Sequence, residues 1–170
     1  MSEHPEGHKS GYQRLREKKT LKEILEVATE FERTARDFYT GLVPKVSKNM
    51  RWLLEELAEE EQEHFDLFSR LATDPRVEEQ IRTEVATPPS DTRFSDCVHL
   101  PDLGDAPDDQ EVLQYAMGRE HAAMEQYSSL AESTPPGPIK DLFSFLAAEE
   151  TKHKLELEKL YYELVYPTNV

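Results

Sequence analysis

The sequence predicts an all-α protein, a four-helix bundle in which two helical hairpins are joined by a long crossover. Apolar residues recur at helical spacing in four blocks, at about residues 20–43, 47–72, 108–133 and 138–165. Charged residues make up 32% of the chain and there are only six glycines, a composition that suits amphipathic helices better than a sheet. Prolines and short polar residues separate the blocks and mark the connections.

The first two blocks form the first predicted hairpin. Thr20 can cap the first helix, and Glu23 stands three residues later, which is the capping-box pattern. Pro44 ends this helix, and Ser47 is of a residue type that caps the second. Residues 1–19 are polar and lack periodicity, so we predict a loose N-terminal arm whose two histidines are solvated, His4 and His8.

The last two blocks form the second hairpin. The third helix begins near Asp108, with Glu111 three residues on. The stretch PPGP at residues 135–138 breaks the helical pattern, and Pro138 then suits the first turn of the fourth helix. We interpret Trp52, in the second helix, as a packing residue.

Residues 73–106 form the predicted crossover, which contains Pro75, Pro88, Pro89 and Pro101. A bundle whose second and third helices run parallel needs such a link. A helix of about 25 residues is about 38 Å long, and an extended chain spans that distance in about 12 residues, so the segment suffices. Residues 76–85 could form a short helix within it, and we interpret Cys97 and His99 as structural or incidental residues.

The charge and the cysteine content exclude several classes of function. The formal net charge of -15 opposes binding to nucleic acid or to anionic membranes. A single cysteine excludes an intramolecular disulfide and a four-cysteine metal site. The N-terminus lacks the apolar region of a secretory signal, and no stretch approaches the roughly 20 apolar residues of a membrane span, so we expect a cytoplasmic protein.

The two hairpins are near copies of each other. Residues 28–42 match residues 116–130 at a shift of 88 positions, and Leu57–His64 (LAEEEQEH) matches Leu146–His153 (LAAEETKH) at a shift of 89. These matches pair Glu32 with Glu120, Tyr39 with Tyr127, Glu61 with Glu150, and His64 with His153.

The repeated acidic residues and histidines lie on the apolar faces of their helices. Glu61 and His64 are three residues apart, and so are Glu150 and His153, so each pair shares a face. Four carboxylates in one core repel each other, and two divalent cations would neutralise them. Carboxylate with imidazole suits iron, manganese or zinc. The alternative is that these are exposed acidic faces which look alike by accident.

Four neighbouring residues have rival interpretations. Glu60 and Glu149 stand four residues before His64 and His153, so they could be ligands, although we expect surface or supporting roles. His121 and Glu125 are expected on the surface, with a secondary role open to His121 because it follows Glu120.

The motifs ATEFERTARDFY (28–39), AMGREHAAMEQY (116–127), LAEEEQEH and LAAEETKH together resemble those of the rubrerythrin branch of the ferritin-like superfamily. The resemblance covers about residues 20–72 and 108–165. It implies a ferritin-like bundle, two iron ions and a homodimer, although the same ligands can hold zinc or manganese. The metal ligands that it implies are Glu32, Glu61, His64, Glu120, Glu150 and His153.

The resemblance also implies roles within the site. Glu32 would group with Glu61 and His64, and Glu120 with Glu150 and His153. Glu61 and Glu150 would bridge the ions, and Tyr39 and Tyr127 would donate hydrogen bonds around them. The candidate catalytic residues are therefore Glu61, Glu150, Tyr39 and Tyr127.

Two departures from the family pattern bear on activity. Full-length rubrerythrins carry a four-cysteine iron domain, which one cysteine cannot build, so an external electron donor is expected. Ala123 stands where rubrerythrins tend to have a second glutamate on the third helix. We expect a di-iron oxidoreductase that reduces hydrogen peroxide or reacts with dioxygen. The alternatives are a ferroxidase that handles iron and a metal-stabilised helical adaptor without catalysis.

Overall fold

Four long helices make up most of the fold. A computed structural model of the chain describes residues 18–86, 103–104 and 106–167. The helices are α1 (Leu21–Leu42), α2 (Lys48–Ala72), α3 (Asp109–Ser133) and α4 (Pro138–Val165). Each end lies within one residue of the predicted position, and α1 packs mainly on α2 and α3 on α4. The predicted all-α bundle of two hairpins is confirmed.

The helix starts follow from their capping residues. Thr20 Oγ1 accepts a hydrogen bond from the Glu23 backbone N–H at 3.3 Å, and the Asp108 side chain accepts one from Gln110 N–H at 2.7 Å. Ser47 precedes α2 in an extended conformation but makes no side-chain cap bond. Its hydroxyl instead donates to an Asp109 carboxylate oxygen at 2.8 Å, which ties the α1–α2 turn to the start of α3.

The start of the crossover differs from the prediction. Residues 76–85 do not form a helix but two single 3-10 turns, Pro75–Val77 and Gln80–Arg82, followed by a strand. This strand, β2 (Glu84–Ala86), pairs antiparallel with β1 (Lys18–Thr20), so the predicted loose arm ends at a strand rather than continuing to residue 19.

The physical reason for the strand pairing is burial of valine side chains. Val77 and Val85 are buried against Leu21 at the base of α1, and the Leu21 backbone N–H donates to the Thr83 carbonyl oxygen at 2.9 Å. The β-branched Val85 favours an extended backbone in such a position. His4, His8, Cys97 and His99 lie outside the described residues.

The core consists of two apolar clusters with a polar layer between them. One cluster lies at the end of the bundle that carries β1 and β2, and it includes Ile24, Phe31, Phe68 and Phe143. The other cluster lies around the later part of α1 and the earlier part of α2. Trp52 belongs to neither, because 59% of its surface is exposed, so its interpretation as a packing residue was wrong. None of the described helices has the length and apolar character needed to cross a bilayer.

Candidate metal centre

The polar layer contains all six predicted ligands. Glu32 comes from α1, Glu61 and His64 from α2, Glu120 from α3, and Glu150 and His153 from α4, and none is more than 3% exposed. Helical spacing explains this arrangement, since each Glu–His pair lies one turn apart on the inward face. The structure therefore brings together residues that the sequence linked by the internal repeat.

The first group of donor atoms surrounds the imidazole of His64. Its Nδ1 atom lies 3.4 Å from Glu32 Oε2, 3.4 Å from Glu61 Oε2 and 3.4 Å from Glu150 Oε1. One donor atom from each of these four residues lies within 4.8 Å of the others. The three carboxylates and the imidazole thus enclose one volume.

The second group repeats this geometry around His153. Its Nδ1 atom lies 3.6 Å from Glu120 Oε2, 3.6 Å from Glu150 Oε2 and 3.7 Å from Glu61 Oε1. Glu61 and Glu150 therefore belong to both groups, and each offers one oxygen to either side. Such shared carboxylates are suited to bridge two neighbouring ions. The two imidazole rings are nearly parallel, with centroids 6.0 Å apart.

The donor atoms fit first-row divalent ions. Six of them are buried without a hydrogen-bond partner in the described part of the chain: Glu32 Oε2, Glu61 Oε2, both oxygens of Glu150, His64 Nδ1 and His153 Nδ1. Unpartnered buried donors are costly, and a coordinated cation removes that cost. Separations of 3.4–3.7 Å also match the edges of a ligand tetrahedron whose bonds to the ion are about 2.1 Å long.

Two buried tyrosines connect the hairpins crosswise around the donors. The Tyr39 hydroxyl, on α1, donates to Glu120 Oε1 on α3, and the Tyr127 hydroxyl, on α3, donates to Glu32 Oε1 on α1. Each bond occupies the outer oxygen of its carboxylate and leaves Oε2 directed at a donor group. The tyrosines thus hold the two unshared glutamates in place.

We expect that Tyr39→Phe and Tyr127→Phe will each lower the free energy of unfolding of the metal-free protein by about 1–3 kcal/mol. Each substitution leaves one buried carboxylate oxygen without its donor. Urea denaturation followed by circular dichroism measures the change. Tyr162→Phe is the matched control, because Tyr162 is exposed, and it should alter stability by less than about 0.5 kcal/mol. Equal stabilities of all three variants would contradict the assigned hydrogen bonds.

The shared glutamates favour their neutral form in the metal-free protein. Burial, reinforced by the charges of Glu150 and Glu32, raises the pKa of Glu61 well above its ordinary value. Burial and the neighbouring Glu120 raise the pKa of Glu150 to about 8. Burial and the neighbouring charges thus favour the protonated form of both side chains when no metal is bound.

The unshared glutamates and the histidines favour their charged forms. Burial opposes ionisation of Glu32 and Glu120, but contacts with neighbouring acids and imidazoles outweigh it and lower both pKa values, that of Glu120 to about 2. Burial opposes protonation of His64 and His153, yet the surrounding carboxylates raise both pKa values, that of His153 to about 12. Two carboxylates and two imidazoliums make the metal-free layer neutral overall.

The rival residues occupy different places. Glu60 is 24% exposed, and its Oε2 atom contacts Nε2 of His153, the nitrogen that faces away from the donor group. Glu149 is half-buried and makes no polar contact with His64 within the described residues. His121 and Glu125 form a partly exposed pair at 2.7 Å on the outer side of α3, with side-chain exposures of 38% and 42%.

Sequence analysis missed Arg119, which precedes Glu120 and is 2% exposed. Its guanidinium lies over the rings of Phe31, Phe38 and Tyr115, at 5.0, 5.5 and 6.0 Å from their centroids. Tyr115 stands four residues earlier on α3, and that spacing is a usable signal in the sequence. The two phenylalanines belong to α1, and no local pattern could have indicated them.

Comparisons with known proteins agree with the fold and identify the family. The family model described as Rubrerythrin matches residues 23–96 and 111–169. The solved structure of a Thermotoga maritima protein, described as ferritin-like and diiron-carboxylate, superposes with a TM-score of 0.71 at 18% identity, covering 86% of this chain and 97% of that chain. A Pyrococcus furiosus protein superposes with a TM-score of 0.64 at 26% identity, covering 89% of this chain and 94% of its own. No curated protein matches the sequence.

Proposed function

Because the chain belongs to the rubrerythrin family, we propose that its polar layer binds two iron ions and that the protein is a di-iron oxidoreductase. The proposed reaction reduces hydrogen peroxide, or uses dioxygen, with electrons from an external donor. The observation that carries the proposal is the pair of buried donor groups that share Glu61 and Glu150.

The donor chemistry supports iron. Three carboxylates and one imidazole around each position suit iron, manganese or zinc, and iron, unlike zinc, can change its oxidation state in a reaction with peroxide. When bound, two ferrous ions would supply one electron each, which together with two protons reduce one peroxide to two waters. The four glutamates carry four negative charges once deprotonated, which balance two divalent ions.

The residues of the chain keep this centre dry and fixed. Both apolar clusters cover the layer, so a small oxidant suits it better than a bulky substrate. Tyr39 and Tyr127 keep their protons, because burial and the neighbouring carboxylates raise the pKa of each well above its ordinary value. They therefore remain hydrogen-bond donors that orient Glu120 and Glu32.

Stopped-flow absorption of the iron-loaded, reduced protein tests the proposal. We expect peroxide to oxidise the centre within seconds and an added electron donor to reduce it again over repeated cycles. The metal-free protein is the control for reaction in solution. Accumulation of iron during repeated oxidation of added Fe(II) would favour the ferroxidase, and silence towards both oxidants would favour a non-catalytic adaptor.

A further inference from the structure

We propose that Glu60 is a positioning residue for His153 and that it makes the two halves of the metal centre unequal. The inference rests on the proposed binding of metal by His153. Glu60 Oε2 contacts His153 Nε2 across the bundle, from α2 to α4. Glu60 is one position before the shared Glu61, so α2 provides both a ligand and a support for a ligand on the other hairpin.

The two nitrogens of His153 face different surroundings. Nδ1 points into the donor group with Glu120 and Glu150, at 3.6 Å from one oxygen of each. An imidazole that binds an ion through Nδ1 is neutral and carries its proton on Nε2. A carboxylate at Nε2 accepts that proton's hydrogen bond, fixes the tautomer and ring orientation, and strengthens Nδ1 as a ligand.

The location of Glu60 suits this role. His153 is fully buried, whereas Glu60 is 24% exposed, so Glu60 reaches the imidazole from the rim of the bundle. It is also excluded from direct ligation of the ions, because it meets the nitrogen on the far side of the ring. Glu60 is thus a support for the ligand.

The internal repeat predicts the same support for His64, and the structure departs from it. The repeat places Glu149 in the position of Glu60, since both precede a shared glutamate. Glu149 makes no polar contact with His64 among the described residues. Within the described residues, the imidazole of His153 therefore has a carboxylate at Nε2, and Glu149 provides no equivalent contact to His64. We expect the His153 half to bind its ion more tightly and to fill first.

Zinc titration of the metal-free full-length protein tests the inference, with Glu149→Ala as the matched control for Glu60→Ala. Calorimetry with a competing chelator resolves the two binding steps. Glu60→Ala should weaken one step by about 10–100-fold, the usual effect of losing such a partner, and change the other by less than about threefold. Glu149→Ala should leave both steps within about threefold of the original protein. Glu60→Gln, whose amide oxygen still accepts a hydrogen bond, should recover part of the loss.

Nitrogen-15 NMR of the imidazoles gives a second measurement that does not depend on affinity. In the zinc-loaded protein, the Nε2–H proton of His153 should exchange slowly with water, and Glu60→Ala should accelerate its exchange while the His64 signals stay unchanged. At one zinc per chain, the His153 signals should shift first.

Two results would overturn the inference. The first is an equal loss of zinc affinity in Glu60→Ala and Glu149→Ala. The second is a Glu60→Gln variant that binds zinc as weakly as Glu60→Ala, since that would indicate an effect of charge alone. If the original protein binds two zinc ions and Glu60→Ala binds them with the same affinities, the metal centre stands and only the role of Glu60 is rejected. If the original protein binds no zinc, the proposed metal centre and this inference are both rejected.

Discussion

Replacing Glu61 by Gln should abolish tight binding of both metal ions rather than of one. Glu61 gives one oxygen to each donor group, so the substitution removes a charged ligand from both. We expect each binding step to weaken by more than about 100-fold, beyond the loss that follows removal of an outer hydrogen-bond partner. Metal content after desalting, together with calorimetric titration, measures the loss.

The matched variants make this prediction specific. Glu150→Gln should have the same effect, because Glu150 is shared as well, whereas Glu32→Gln should weaken the step at the His64 half much more than the other. Glu125→Gln alters an exposed acid and should change neither. Glutamine has the shape of the neutral acid that Glu61 forms in the metal-free protein, so the fold should persist. Two ions retained by Glu61→Gln at unchanged affinity would disprove the bridging role.

Metal binding should depend steeply on pH, because ions displace protons from the centre. In the metal-free layer, four side chains favour their protonated forms because their pKa values are raised: Glu61, Glu150, His64 and His153. Binding of two ions near pH 7 should therefore release several protons, and the affinity for the ions should rise steeply with pH. Above pH 8, Glu150 has already lost its proton, so the number of protons released should fall.

Calorimetry in buffers with different enthalpies of ionisation counts these protons directly. The sign follows from linkage: protons compete with the ions, so affinity falls as the pH is lowered. Release of one proton or none near pH 7 would mean that the metal-free layer is not neutralised by protons. The electrostatic description of the shared glutamates would then be wrong.

The sequence allowed prediction of the features that depend on helical periodicity. The spacing of Glu61 and His64, repeated at Glu150 and His153, is fixed by the backbone of a helix, so their common face could be inferred without a structure. The helix ends were predictable for the same reason, since capping by Thr20 and interruption by prolines are local effects.

The remaining features depend on contacts between distant parts of the chain. The pairing of Lys19 with Val85 and the bond of Ser47 to Asp109 join segments that no local pattern relates. The crosswise tyrosine bonds and the division of Glu61 and Glu150 between two donor groups depend on how the hairpins approach each other. The unequal roles of Glu60 and Glu149 even contradict the sequence symmetry.

The division of donors between hairpins has a consequence for assembly. The α1–α2 hairpin supplies three of the four residues in the donor group that contains His64, and α4 supplies the fourth, Glu150. The α3–α4 hairpin likewise supplies three of the four residues in the group that contains His153, and the fourth, Glu61, comes from α2. Neither fragment alone contains a complete donor group. Two fragments cut within the crossover should therefore reconstitute in a metal-dependent manner, and an ancestral single hairpin could have achieved the same by pairing with an identical copy before gene duplication.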